Sequence, residues 1–574
     1  MRRVASGVTA LTLLALAACT PATVNHPAAG ATTGPTGPTT GTGGPATPAP
    51  KGTQAQPTGP HADYLVFYAD GKQSQALEAV VRAGGTAAGE DTRLGYVLAR
   101  GARDGFAESV AADPAVAGVS PDRSIGHATA EPARSFPDGS ALHHSAGAGG
   151  AAAEPLAGRQ WDMRMIGADR AHARTPGSKD VLVAVIDTGI DGDHPDIAPN
   201  FERELSRNFV TDKPKDDNGE TLDGPCEAAG CKDPVDEDDD GHGTHVASTI
   251  ASPVNGVGIA GVAPGVRLVN VRAGQDSGFF FLKPSLDALA YAADIGADVA
   301  NLSYYVDPWL FNCAANPADS RKEQLEQRAV VLGMQRAIDY ARKKGVTIVS
   351  ALGNGSTDLG RPRADDKSPG YPEGSQKTRK VDNTCLNVPA ESDGVISVSA
   401  LGPSGRKAVY SDYGVEQTDV AAPGGDAVDG KGADATRSIL AAAPERALRA
   451  AGRIGADGKP KGADVVRDCA SGTCSYYQYL DGTSMAAPHA AGVAALLVSR
   501  FGKPAPGGGL TLDPATVEKL LYQSADQRAC PTPRQYVYQT YGEKETHTCE
   551  GDAADNGFYG HGIVDAWKAA TFEP

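Results

Sequence analysis

From residue 160 onward the chain carries five short apolar runs: Val181 to Ile186, Val266 to Val271, Val299 to Ser303, Val346 to Ala351 and Val395 to Ala400. A strand with one wet face alternates apolar and polar residues. A run that is apolar almost throughout must be covered on both faces, as in a parallel sheet. Stretches with helical spacing lie between these runs, at Gly243 to Ala251, Ser285 to Asp294 and Ala329 to Lys343. This alternation predicts an α/β fold, a parallel β-sheet flanked by helices, over residues 159–574. Sites of such sheets form at the carboxyl ends of the strands. A balance of 53 Lys+Arg against 70 Asp+Glu, net −17, opposes a nucleic-acid partner, whose phosphates are bound by a basic surplus.

The first 158 residues read differently. Met1-Arg2-Arg3 is a positive leader, and Val8 to Ala18 is an apolar stretch too short to span a bilayer, so residues 1–18 read as a signal peptide. The ending Leu16-Ala17-Ala18-Cys19 resembles the lipobox of bacterial lipoproteins. That resemblance implies a lipid on Cys19 and an extracellular protein anchored to the cell membrane; an ordinary signal peptide would give a freely secreted one. Residues 19–60 then form a Thr/Pro/Gly-rich tether, with a contour of about 135 Å when extended. Residues 61–126 read as a small α+β unit: strands at Tyr64 to Tyr68, Gly95 to Ala99 and Val116 to Ser120, helices at Gln75 to Ala83 and Gly105 to Ala112. Residues 127–158 read as an exposed linker. Eight cysteines remain besides Cys19, an even number that suits disulfides in an exported chain. Short spacings favour Cys226–Cys231, Cys469–Cys474 and Cys530–Cys549, which leaves Cys313 with Cys385.

Three segments carry chemistry. Asp187 follows the first buried strand in Val185-Ile186-Asp187-Thr188-Gly189. His242 sits between glycines in Asp240-Gly241-His242-Gly243-Thr244-His245, at a helix start. Ser484 opens an apolar helix in Gly482-Thr483-Ser484-Met485-Ala486-Ala487-Pro488, where backbone N–H groups and the helix dipole favour a developing oxyanion. Together these segments resemble the subtilisin family of serine endopeptidases, whose order is also Asp, His, Ser. The resemblance implies Ser484 as nucleophile, His242 as general base and then acid, and Asp187 as the group that orients the imidazole. It implies Asn354, in Ser350-Ala351-Leu352-Gly353-Asn354-Gly355, as the oxyanion donor, a role worth roughly 3–4 kcal/mol. It covers Gln160 to about Phe572 and gives residues 61–126 the pattern of the family's inhibitory propeptide. The implied activity is peptide-bond hydrolysis by a self-processing zymogen, with protein or peptide substrates and the propeptide as intramolecular inhibitor.

Departures limit the likeness. Ser303-Tyr304-Tyr305 stands where the family usually has Ser-Leu-Gly, so Tyr305 either narrows the entrance of the substrate pocket or turns into an insertion at 304–330. Residues 425–480 form a second insertion. No cofactor is expected for catalysis. Many subtilisins hold a structural calcium, and Asp196 and Asn255 fall at the matching positions, with oxygen ligands suited to that hard cation. Residues 212–240 contain twelve acidic and three basic residues, read as a solvated loop or a second calcium site. His245 and His489 read as packed side chains, because the Glu of a metalloprotease helix is missing.

Overall fold

The structure is a computed structural model that describes residues 61–122, 131–132, 154–216, 218–470, 472–505, 508–540 and 543–574. The stretches read as signal peptide and tether, Cys19, and most of residues 127–158 lie outside these residues.

The N-terminal unit comprises β1 (His61–Tyr68), α1 (Gln73–Arg82), β2 (Thr86–Asp91), β3 (Tyr96–Ala102), α2 (Phe106–Val110) and β4 (Val116–Pro121). The strands form one antiparallel sheet in the order β2-β3-β1-β4. The sequence reading missed β2, because Thr-Ala-Ala-Gly-Glu-Asp has neither apolar alternation nor β-branched residues beyond its first. β1 is apolar on both faces for a physical reason. Tyr64 and Val66 pack with Val80, Phe106 and Val110 in the unit's own core. Leu65 and Phe67, with Leu94 and Tyr96, join the apolar cluster of Leu282, Leu286, Val330 and Met334. Each such burial contributes about 2 kcal/mol.

Leu282, Leu286, Val330 and Met334 belong to two helices, Leu282–Asp294 and Arg321–Lys343, so the sheet of the N-terminal unit rests across both. The Arg336 guanidinium donates to the carbonyls of Tyr68 (2.9 Å) and Gly95 (3.0 Å), and the Tyr96 hydroxyl to Asp287 (3.2 Å). A Cβ on Gly118 would lie 3.0 Å from the Ala329 Cα, so the sheet and the helix meet here at close range. The second helix begins eight residues before the expected Ala329. Ser320 and Glu323 form a capping box at its start, which shortens the expected 304–330 insertion.

After the two-residue linker strand β5 (Glu131–Pro132), the large sheet contains β6 (Leu182–Ile186), β7 (Arg207–Asn208), β8 (Arg267–Arg272), β9 (Val299–Leu302), β10 (Thr347–Ala351), β11 (Val395–Leu401) and β12 (Val420–Pro423). All seven strands of this sheet run parallel in the order β12-β11-β10-β9-β6-β8-β7. The five strands read from the sequence form its middle. The chain goes from β6 to β8 on one side and then to β9 on the other. β6 therefore borders the topological switch point, where a ligand crevice opens at the carboxyl ends. Asp187 is the next residue.

The 425–480 insertion folds into a short antiparallel sheet: Ile439–Ala442, Val465–Asp468 and Ser475–Asp481. Its last strand runs into the Ser484 segment. β5 adds to that strand's edge, with Pro132 opposite Leu480 and Glu131 opposite Asp481. The four disulfides are Cys226–Cys231, Cys313–Cys385, Cys469–Cys474 and Cys530–Cys549, the pairing favoured by spacing. Among the described residues no helix is long and apolar enough to cross a membrane.

Candidate active site

Asp187 is wholly buried at the end of β6, and its Oδ1 accepts from His242 Nδ1 at 2.6 Å and from the Thr188 amide at 2.8 Å. His242 is the first residue of the helix His242–Ala251. Burial alone would lower the imidazole pKa; the facing Asp187 carboxylate, together with Asp240 and Asp238, outweighs it and raises the pKa above the ordinary histidine value. The Asp187 hydrogen bond places the proton on Nδ1 and leaves Nε2 as the basic nitrogen.

The glycines around His242 have steric reasons. A Cβ on Gly243 would lie 2.1 Å from the Gly189 carbonyl, and Gly241 adopts φ +98°, a left-handed conformation. The helix start is held by Asp238, a residue that the sequence reading left within the acidic loop. Its Oδ1 accepts from Thr188 Oγ1 (3.0 Å) and the Gly241 amide (2.9 Å), and its Oδ2 from the amide (2.9 Å) and hydroxyl (2.6 Å) of Thr244. Asp238 thus ties the Asp187 turn to the His242 helix.

Ser484 lies in the first turn of the helix Thr483–Phe501, which packs against both the His242 helix and the sheet. Its Oγ donates to the Ser303 carbonyl at 3.0 Å, while Ser303 Oγ, itself accepting from Asn301 Nδ2, donates to the Ser484 carbonyl at 2.9 Å. His242 Nε2 is buried without a hydrogen-bond partner. The Asp–His bond is therefore formed and the His–Ser bond is not. Rotation about the Ser484 Cα–Cβ bond is the motion that would redirect the hydroxyl.

Asn354 follows β10. Its Oδ1 accepts from the Thr483 amide (2.9 Å) and hydroxyl (2.8 Å). A backbone amide can only donate, which fixes the oxygen toward Thr483 and turns the Nδ2 donor to the opposite side. Asn354 and Ser484 are thereby locked into adjacent segments. Tyr305 hydrogen-bonds Asp307, and burial together with that carboxylate pushes its phenol well above the ordinary tyrosine range. Tyr304 is buried and stacks on Phe280 with ring centroids 4.0 Å apart.

His245 donates from Nε2 to the carbonyls of Ile439 and Gln478 (both 3.1 Å), and burial holds its pKa down at about 3. His489 bonds the Met485 carbonyl and Asp162. Both are packed side chains, as expected. The acidic loop is less bare than its composition implies. Asp236 pairs with Arg203, Glu237 and Asp239 with Arg446, and Asp212 and Asp233 with the buried Arg272. Arg272 also pairs with Asp276 at 3.0 Å, so a guanidinium already provides the cation among these three carboxylates.

The two residues expected to hold calcium lie side by side, one buried and one exposed. Asp196 is buried; its Oδ2 accepts from the Ile259 amide (2.9 Å) and the Tyr477 hydroxyl (2.7 Å), while its Oδ1 has no partner. Glu154, which the sequence reading left in the linker, has a second buried orphan oxygen, Oε2, and its charge acts on Asp196. Burial pushes the Asp196 carboxyl up to about 7. Asn255 is exposed and caps its own turn: Nδ2 donates to the Pro195 carbonyl (3.1 Å), and Oδ1 accepts from the Val257 amide (2.9 Å). Two orphaned buried carboxylate oxygens suit a hard cation. Asn255 reaches both carboxylates, its side chain hydrogen-bonding Asp196 and its backbone Glu154.

Chain order separates the classes of serine hydrolase that share an Asp, a His and a Ser. On α/β-hydrolase sheets the nucleophile comes first, whereas here Asp187 leads and Ser484 is last, as in the subtilases. The chain belongs to the subtilase family (peptidase S8), whose model matches residues 178–562. It is 30% identical over 344 residues to the thermophilic serine proteinase of Bacillus sp. strain AK1, covering 60% of this chain and 58% of that protein. It is 28% identical over 360 residues to fervidolysin of Fervidobacterium pennivorans, covering 61% of this chain and 39% of that one. The chain thus spans less than two thirds of either relative. Among solved structures, the epidermin leader peptide processing serine protease of Staphylococcus aureus superposes with a TM-score of 0.56 at 21% identity, over 89% of this chain and 98% of that one. That likeness concerns the fold.

Proposed function

We propose that the protein is an exported serine endopeptidase made as a self-processing zymogen. Ser484 attacks the peptide carbonyl, His242 takes its proton and later delivers it to the leaving amine, and Asp187 holds the imidazole. The Asn354 amide and the Ser484 N–H receive the oxyanion. The observation that carries this reading is the buried 2.6 Å Asp187–His242 bond beside a serine at a helix N-terminus. An esterase would share the triad, but the Gly-x-Ser-x-Gly elbow is absent around Ser484.

The zymogen part rests on register. The Glu131–Pro132 pairing with Leu480–Asp481 is antiparallel and ends three residues before Ser484 in the partner strand. The bond cut in maturation is expected a few positions before Glu131, between about residues 126 and 131. N-terminal sequencing of the mature enzyme checks this, and a terminus after residue 133 would contradict it. Lipid on Cys19 would then hold the N-terminal unit, with the catalytic part retained by non-covalent contacts such as those of Leu65, Phe67, Tyr96 and Arg336. In the same preparation, Cys19→Ala should move the chain from the membrane pellet to the soluble fraction; an unchanged distribution would refute the anchor.

Calcium at Asp196 and Asn255, with Glu154 beside them, is the remaining part of this reading. Chelation with EDTA should lower Tm by at least about 3 °C, with recovery on adding calcium but not magnesium. An unchanged Tm would mean that protons rather than a metal neutralise the pair.

A further inference from the structure

The segment that carries Asn354 is wrapped around a single buried carboxylate. Asp412 is 2% exposed, and its Oδ1 accepts from the amides of Gly355 (3.0 Å) and Thr357 (2.7 Å). Its own amide donates to the Gly353 carbonyl at 2.9 Å. The residues immediately before and after Asn354 are thus both fastened to Asp412. Oδ2 lies over Gly353: a Cβ there would come within 2.2 Å of it, and Gly353 has φ +127°. The loop needs glycine at this position because the carboxylate fills the space. Ser356, at φ +56°, completes the turn by donating its amide to Tyr410 O (2.7 Å) and its hydroxyl to Val409 O (3.0 Å). The turn that presents Asp412 is itself braced by Lys407, whose buried ammonium donates to the carbonyls of Ala408 (2.8 Å) and Ser411 (2.6 Å). The Asp412 and Lys407 side chains thus act on backbone, and none of these bonds goes to Asp187, His242 or Ser484.

We propose that Asp412 is a positioning residue for the oxyanion donor: its carboxylate fixes loop 353–357 and so aims the Asn354 amide. Two anchors act together. Thr483 holds the Asn354 oxygen and Asp412 holds the backbone on either side, so the donor has no slack in translation or rotation. Misplacing a preorganised donor by about 1 Å costs on the order of a hundredfold in rate. The donor's contribution exists only in the transition state, so the loss falls on kcat and leaves KM.

This inference rests on the protease reading, and a double-mutant cycle tests it. Full-length wild type, Asp412→Ala, Asn354→Ala and the double variant are compared on a peptide substrate, with rates normalised by active-site titration. Asp412→Ala should lower kcat at least about 30-fold with KM within about twofold. In the Asn354→Ala background the same change should cost less than about threefold, because the group being aimed is gone. Asp412→Asn keeps one acceptor oxygen and should retain kcat within about fivefold of wild type. Equal costs in the two backgrounds, a loss confined to KM, or a loss under threefold in the wild-type background would overturn the proposal. If Asp412→Ala does not fold, Asp412→Asn takes its place in the cycle, where any loss must again vanish with Asn354→Ala. If a variant does not mature, the rate at which it loses residues 61–122 serves as the kcat. Failure of the protease reading would look different: wild type itself would be inactive.

Discussion

Ser484→Ala should reduce casein hydrolysis about a million-fold, to the level left by binding and the oxyanion donors alone. Loss of the nucleophile from the same triad in subtilisin has an effect of that order. The physical argument is local. Ser484 is buried in a first helical turn with its Oγ on the Ser303 carbonyl, and alanine removes one hydroxyl and no packing. The variant should therefore fold and keep its N-terminal unit, since the nucleophile that cuts the linker is gone. Side-by-side expression, followed by gel electrophoresis and casein assay, reads both effects. A variant that loses residues 61–122 as fast as wild type would show that maturation is carried out by another protease.

The second large effect concerns Asp187. Asp187→Asn should lower kcat by about 10⁴-fold, the loss that the same substitution causes in another serine protease. The asparagine either presents an amide to Nδ1, forcing the proton to Nε2, or offers a weaker neutral acceptor. In both cases the base is lost or mis-aimed. The pH profile gives a sign independent of the magnitude. His242 must be neutral to act as base, so activity rises with pH through its pKa. Asp187 raises that pKa against the opposing effect of burial. Removing the carboxylate's charge lowers it, and the acidic limb of log kcat/KM should move to lower pH. A limb that stays in place, or moves up, would show that another group controls it.

Much of this arrangement is legible in the chain because burial imposes composition. β6, β9 and β10 are covered on both faces, and their sequences are apolar runs. Asp187 and His242 are legible for a related reason: both stand where close backbone approach forces small neighbours, as Gly243 shows against Gly189. What stays hidden is held by side chains acting on distant backbone. Asp238 and Asp412 accept from amides through tertiary geometry, and one looks like part of a charged run, the other like a turn residue. Glu154 lies in what reads as linker, yet its Oε1 reaches the Gly256 amide at 3.1 Å. β2 and the two-residue β7 carry no periodicity. Asn255 illustrates the converse, a residue at the expected position whose side chain has turned to cap its own backbone.

The central claim is that Ser484 is a nucleophile activated by His242 and Asp187. The most direct test treats the mature protein with a serine-directed fluorophosphonate and locates the adduct by peptide mass spectrometry. The account predicts one adduct per chain, on the peptide containing Ser484, with labelling and casein hydrolysis lost in parallel. Continued casein hydrolysis by fully labelled protein, or an adduct on any other serine while Ser484 stays unmodified, would contradict it.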